Sequence, residues 1–317
     1  MAYHSCISDN TVSYLTQQFP AETPAWLAAF PGELKRICEK WAFTPEGHEP
    51  CSRFGAILYG ASARYGRVAV KVVPWFSPRL KTEVFCYRHL PYREMCPLYD
   101  VDEKLGAMLL RYVPAANSAD HAPRERVFRS LYEQRRPAAP DETSLPRYED
   151  VLSDVLSNAR AAVTAKNDAR LMPFLPSIER ALNAMETFRD SERYLIHGDA
   201  HEYNMLVEDG GCVLIDPLGY VAPIEFEFAR YLGTAMKEHP LSNAEMDALV
   251  SRILPGGVDR ARALSAFAID TTLRGCNTFI EGNTCEEIVF GGSWAARAWN
   301  YADALSQPAK EGKRHVS

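Results

Sequence analysis

The stretch that most constrains this chain is Leu195-Ile-His-Gly-Asp-Ala-His-Glu-Tyr-Asn-Met-Leu-Val207, followed by Val213-Leu-Ile-Asp-Pro-Leu-Gly219. Two apolar runs flank residues with no place in a strand core: His197, Asp199, His201, Asn204 and then Asp216. Glu208-Asp-Gly-Gly211 between the runs is a strong turn signal, so a hairpin is expected there. Two short buried strands therefore deliver carboxylates and an amide to one small region. Such a cluster either binds metal or performs acid/base chemistry.

At 317 residues the chain exceeds what one compact core usually holds, so two lobes are expected, residues 1–113 and 114–317. A net charge of -6 gives no reason to expect a nucleic-acid partner. No apolar run approaches the roughly 20 residues of a membrane helix, so no membrane partner is expected either. Met1-Ala-Tyr-His-Ser-Cys6 has neither a basic nor an apolar leader region. The eight cysteines show no C-x-x-C pairing, and buried thiols in a reduced cytoplasmic protein are the expectation.

Thr23-Pro reads as a helix start with a capping threonine, and Leu34, Ile37, Cys38 and Trp41 mark a second helix face. Phe54–Gly60 and Arg67–Val73 are β-like runs around a turn. Ser77-Pro78 opens a helix with Leu80, Val84, Tyr87 and Leu90 on one face and Glu83 beside it. Leu98–Val101 and Gly106–Val113 read as two more strands, and Pro114-Ala-Ala-Asn-Ser as the crossing between lobes. Beyond it the pattern is mainly helical: Val151 to Ala159, Ile178 to Phe188, Ile224 to Leu232, a capping box at Ser242–Glu245, then 263–280 and 293–305.

Two chemistries compete for the central cluster. As a metal-dependent hydrolase, His197, Asp199, His201 and Asp216 would hold zinc or a two-metal site, leaving Asn204 unexplained. As a phosphoryl-transfer site, His197-Gly-Asp199, four residues and Asn204 have the spacing of the protein-kinase catalytic loop, with Asp216 after the next strand. Asp199 would orient a substrate hydroxyl and take its proton. Asn204 and Asp216 would give Mg²⁺ the hard oxygen ligands it prefers. This second chemistry also requires a strand lysine at the nucleotide phosphates and a helix glutamate to hold it. Lys71, a charge amid Val68-Ala-Val-Lys-Val-Val73, and Glu83 meet that requirement.

His-Gly-Asp-Ala-His-Glu-Tyr-Asn with Ile215-Asp-Pro217 downstream resembles the aminoglycoside phosphotransferase family and its choline-kinase-like relatives. Asp216-Pro-Leu-Gly-Tyr220, Glu225 and Glu227-Phe-Ala229 are most similar to its streptomycin and hydroxyurea phosphotransferase branch. The resemblance implies an α+β, bilobal, protein-kinase-like fold: a small β-rich N-terminal lobe and a larger helical C-terminal lobe. It implies ATP or GTP and Mg²⁺ as cofactors, with a glycine loop within Phe54–Arg67 and a nucleotide hinge at Leu110, Tyr112 and Val113. Glu227 stands where the family often has an aspartate, and a loop-supporting role is expected for it.

His197 and His201 read as loop-shaping residues. Carboxylates at Glu281, Glu286 and Glu287 would suit a polycationic acceptor but are equally ordinary on a solvated surface. Asp270 and Arg274, one helical turn apart, read as an intrahelical pair. The expected function is transfer of the nucleotide γ-phosphate to a hydroxyl of a small molecule, an aminoglycoside-type antibiotic first, with the enzyme a monomer or homodimer. The alternatives are a kinase of another antibiotic class or of a hydroxylated metabolite, a catalytically silent nucleotide-binding relative and, more distantly, the metal-dependent hydrolase.

Overall fold

Ser8 accepts a hydrogen bond from the Thr11 backbone N–H (3.0 Å) and so starts helix α1, Asp9–Gln18. Helix α2, Thr23–Trp41, is a single helix through Pro31, where two helices were expected. Its buried stripe of Trp26, Phe30, Leu34, Ile37 and Trp41 outweighs the one hydrogen bond that Pro31 removes. Thr23 does not cap it. Its hydroxyl instead donates back to the carbonyls of Leu15 and Phe19 (2.9 and 2.7 Å), tying α2 to the end of α1.

Strands β1 (Phe43–His48), β2 (Ala56–Ser62) and β3 (Gly66–Val72) follow, then helix α3 (Arg79–His89) and strands β4 (Leu98–Asp102) and β5 (Ala107–Arg111). They form one antiparallel sheet in the order β1-β2-β3-β5-β4. The sequence pattern missed β1 because Pro45 and Gly47 lie inside it; as an edge strand with a register shift between them, it tolerates both. Alternation sorts the two faces of β3. Val68, Val70 and Val72 join Leu58 and Leu109 against the α2 stripe. On the other side Leu80 and Val84 of α3 pack on Met108, the cross-strand partner of Lys71.

The computed structural model describes residues 6–50, 52–114, 122–139, 142–166, 169, 171–238, 241–280 and 285–306. Most of the expected crossing after Pro114, together with the C-terminal tail, lies outside them. The chain divides into two units: Met1–Leu90, Glu94–Asn117 and Val213–Leu218 form the first, and Pro91–Arg93, Ser118–Cys212 and Gly219–Ser317 the second. The short segment carrying Asp216 thus packs with the sheet.

In the second unit, α4 (Ala122–Gln134), β6 (Arg136–Pro137), α5 (Tyr148–Lys166) and α6 (Leu175–Met185) precede β7 (Tyr194–Ile196). A 3₁₀ turn, Glu202–Asn204, leads into the expected hairpin of β8 (Met205–Glu208) and β9 (Gly211–Leu214). Then come β10 (Tyr220–Ala222), α7 (Glu225–Glu238), α8 (Asn243–Ile253), α9 (Arg260–Ile280) and α10 (Cys285–Ser306). β7 is the middle strand of a small sheet, β10-β7-β6. Helix α9, buried along most of its length, packs against both α7 and α10 and forms the unit's core. Ser242 and Glu245 form the expected capping box on α8. The architecture is α+β, one unit sheet-based and the other mainly helical. Among the described residues, no helix is long and apolar enough to cross a membrane, and Cys6, Cys86, Cys96 and Cys276 are buried.

Gly60 lies inside β2, not in the turn that follows it, and pairs with Pro45 of β1. A Cβ there would stand 2.1 Å from the Thr44 carbonyl oxygen and 3.0 Å from the Glu46 nitrogen. Both are backbone atoms, so the edge strand itself would have to move. Gly60→Ala is expected to destabilise the protein by about 2 kcal/mol or more, read as an earlier urea-unfolding midpoint. An unchanged midpoint would show that β1 is not held this closely.

Candidate functional site

In the first unit the site forms around a lysine that has no apolar reason to be there. Lys71 is buried in β3 and donates from Nζ to Glu83 Oε1 on α3 and to Asp216 Oδ1, both at 2.8 Å. Burial alone would lower the lysine's pKa, but the two carboxylates outweigh it and lift it, so Lys71 stays cationic. Asp216 has φ 55, a left-handed conformation uncommon outside glycine. Its N–H donates to the Tyr87 hydroxyl (3.1 Å), fixing the turn against α3. Charges on Glu83 and Asp216 add to burial in keeping the Tyr87 phenol neutral. Leu110 and Val113 are buried at the end of β5, and Tyr112 packs its ring on Tyr59, with centroids 5.5 Å apart. Of the expected loop glycines, Gly55 precedes β2, Gly60 lies within it and Gly66 begins β3.

In the second unit the centre is Asp199. Gly198 before it has φ +72, and a Cβ there would strike the Tyr220 ring at 2.4 Å. Conformation and space therefore both require glycine between His197 and Asp199. The loop is pinned from within. His197, fully buried, accepts the Asp199 N–H at Nδ1 (3.2 Å), and His201 Nδ1 accepts the Tyr203 N–H (3.3 Å). Asn204 donates from Nδ2 to the Asp199 carbonyl (3.0 Å) and to Asp199 Oδ2 (2.9 Å). With its nitrogen so engaged, Asn204 has its amide oxygen left to offer as a hard ligand. Glu227 on α7 accepts the His197 N–H at Oε2 (2.7 Å), with the Tyr92 hydroxyl 3.5 Å away.

The sequence reading missed Arg230. Its Nη1 donates to Asp199 Oδ1 (2.5 Å), while Nε and Nη2 grip both oxygens of Asp270 (3.1 and 2.9 Å). The Tyr148 hydroxyl also bonds Asp270. Burial alone would raise the Asp199 carboxyl, but Arg230 and then His201 hold it well below the usual carboxylate range. Asp199 is thus ionised at any working pH. The signal was available: an arginine within the apolar helix Phe226-Glu-Phe-Ala-Arg-Tyr-Leu232 needs a buried partner as much as Lys71 does. Asp270 and Arg274 are not the pair expected. Asp270 goes to Arg230, and Arg274 donates to the Thr234 hydroxyl (3.1 Å). Glu281 and the Glu286 side chain lie outside the described residues, and Glu287 is exposed.

Among the described residues, no three His, Cys, Asp or Glu side chains gather as a metal site. A cavity of about 450 Å³ in the second unit lies elsewhere, lined by Tyr132, Arg135, Asp190, Glu225 and Arg262 among others.

The profile of the phosphotransferase enzyme family matches residues 82–261, more than half of the chain. The chain belongs to this family. The match takes in Glu83, Asp199, Asn204, Asp216, Glu227 and Arg230, so both clusters fall within it apart from Lys71 and Asp270. A search of curated proteins finds no match. Solved structures share the fold at low identity. One is a thermostable mutant of aminoglycoside phosphotransferase APH(4)-Ia in a ternary complex with AMP-PNP and hygromycin B. It is 13% identical, with a TM-score of 0.59 over 84% of this chain and 97% of that one. A choline/ethanolamine kinase family protein from Mesorhizobium loti is 14% identical, with a TM-score of 0.55 over 87% and 96%. The streptomycin–ATP complex of APH(2")-IIa is 12% identical, with a TM-score of 0.56 over 83% and 95%. This phosphotransferase therefore has the kinase-like fold that its sequence implied.

Glu227 supplies the test of the loop's support. Burial pushes its carboxyl up to about 7, against hydrogen bonds from the His197 and Gly198 N–H groups that favour the charged form. A pKa raised in the folded state makes the protonated form the stabilising one. That contribution is complete below about pH 4.5 and is lost as pH rises through about 7. Over that window the wild type should lose on the order of 3 kcal/mol relative to Glu227→Gln, whose amide mimics the protonated acid. Parallel stability-against-pH curves for the two proteins would contradict this.

Proposed function

We propose that the protein is a Mg²⁺-dependent kinase that moves the γ-phosphate of ATP or GTP to a hydroxyl of a small molecule. The observation that carries this reading is Lys71 held as a buried cation between Glu83 and Asp216, which neither a structural nor a hydrolytic role requires. Lys71 would meet the nucleotide phosphates with Glu83 fixing its position, and the backbone at Leu110, Tyr112 and Val113 would serve the base. Mg²⁺ fits the donors present: Asp216 has one oxygen on Lys71 and a second to give, and Asn204 has its amide oxygen. When bound, the ion would offset phosphate charge.

Asp199 would receive the hydrogen bond of the acceptor hydroxyl. As that oxygen bonds to the γ-phosphorus and the bond to the nucleoside diphosphate breaks, the hydroxyl proton passes to the Asp199 carboxylate. A carboxylate held so far below its usual pKa is a weak base, so its main contribution is orientation, which a loose phosphoryl-transfer transition state demands most. His197, His201 and Glu227 would hold the loop.

Two acceptor classes follow. Hygromycin B and streptomycin, bound by the structural neighbours, support an aminoglycoside-type antibiotic. A small hydroxylated metabolite is the second class, and the cationic Arg274, which donates to Thr234 on the helix that carries Arg230, suits one that is not itself cationic. Either way Asp199→Asn should cut acceptor-dependent ADP release by about 10²-fold or more, and Asp216→Asn should reduce it at least as far. Turnover that survives both substitutions would sink the mechanism.

A further inference from the structure

On the face of α7 that carries Arg230 one turn further along lie Gly233, Thr234 and Lys237. Arg274 of α9 reaches them: its Nη1 donates to the Thr234 hydroxyl, and its guanidinium lies 4.9 Å from the centroid of the Trp294 ring. Lys237, exposed, sits over the same ring at 5.8 Å. Gly233 has no side chain to fill the space between them. A Cβ there would be 3.1 Å from Thr271 Oγ1, 3.7 Å from Arg274 Nη1 and 3.7 Å from the Trp294 ring edge.

What these groups have in common, among the described residues, is donor capacity beyond the acceptors they meet. Among the described residues Arg274 has no carboxylate partner, and the buried Thr271 Oγ1 and Trp294 Nε1 have no hydrogen-bond partner at all. Arg230 spends its charge on two carboxylates in direct contact; among the described residues none is paired directly with Arg274 or Lys237, and Arg274 feels Asp270 and Asp199 without an ion pair to either. The guanidinium lies beside the Trp294 ring and donates from Nη1 to Thr234, and among the described residues no oxygen takes its other N–H groups, although an arginine fork binds best to two oxygens at once. Burial and the neighbouring Arg230 pull the Arg274 pKa down to about 10, so the cation is held at an energetic disadvantage that an anion would relieve.

We infer that Arg274, with Lys237 and the Trp294 edge, is the subsite for an anionic group on the acceptor, a carboxylate or a phosphate, so that the molecule phosphorylated is a hydroxylated anion. This rests on Asp199 orienting the acceptor hydroxyl. Asp270, which holds Arg230 on Asp199, is one helical turn from Arg274, on the order of 6 Å along α9. A hydroxyl and an acid group separated by a few carbons can span such a distance, whereas a polycationic acceptor would bring its amines against the cations of Arg274 and Lys237.

The test follows transfer of labelled γ-phosphate from Mg-ATP by the full chain to five acceptors. Gluconate and glycerate carry a carboxylate, glycerol phosphate a phosphate, sorbitol no charge and kanamycin several positive charges. The highest kcat/KM is expected for one of the three anions, and which one tells carboxylate from phosphate. Arg274→Gln should raise the KM for that anion roughly ten- to hundredfold, well beyond its effect on kcat, and Arg274→Lys should recover part of the loss. Lys237→Glu, at an exposed position, should raise the same KM severalfold, a readout that survives if Arg274→Gln does not fold. The inference is overturned if sorbitol or kanamycin has the highest kcat/KM, if either of them accepts phosphate and no anion does, or if both variants leave the anion's KM unchanged. The underlying kinase reading fails separately, by an absence of Mg-ATP turnover with every acceptor.

Discussion

Each unit holds a buried cation shared between two carboxylates, and the candidate chemistry depends on both. Lys71 is shared by Glu83 and Asp216, and Arg230 by Asp270 and Asp199. In each trio one carboxylate is enclosed and the other faces outward. The Glu83 and Asp270 side chains are 5% and 3% exposed, against 35% for Asp216 and 19% for Asp199. The enclosed carboxylate fixes the cation in a low-dielectric setting, where leaving it alone would cost several kcal/mol. The cation then fixes the outward carboxylate. Each outward carboxylate is thereby aimed by an ion pair that was needed anyway to bury a charge.

The backbone around the two outward carboxylates is shaped to the same end. Asp216 adopts a positive φ and is tied through its N–H to Tyr87, while Asp199 follows a glycine that both its φ and the Tyr220 ring require. Glu227, beneath the loop, takes N–H groups that the tight turn would otherwise leave unpaired. Its longer side chain does so with one oxygen, leaving Oε1 without a partner among the described residues. Burial, which the hydrogen bonds only partly offset, is the physical reason its carboxyl is pushed towards neutrality.

Much of this was legible in the sequence where a polar residue broke an apolar pattern at a recognisable spacing. Asp199, Asn204 and Asp216 stood out within short strands, and Lys71 within a run of valines. The hairpin at Glu208–Gly211, the α3 helix and the capping box of α8 followed from local signals. What escaped notice depends on tertiary contacts. Pro31 looked like a break because the packing of Trp26, Phe30 and Leu34 that carries the helix past it is not a local property. β1 was hidden by Pro45 and Gly47, tolerable only on an edge. Asp270 and Arg274 suited an intrahelical pair by spacing, yet Arg230, forty residues away from Asp270, offers it two well-aligned N–H groups and takes it. Pairing of buried charges is decided by which geometry is completed in space, and sequence distance says little about it.

The central claim is that Asp216, aimed by Lys71, makes nucleotide binding depend on a divalent ion. Calorimetric titration of AMP-PNP into the wild type and into Asp216→Asn, each with and without Mg²⁺, tests it most directly. The account predicts that Mg²⁺ tightens binding roughly tenfold or more in the wild type and has little effect in the variant. Equal Mg²⁺ dependence in the two proteins, or none in either, would contradict it.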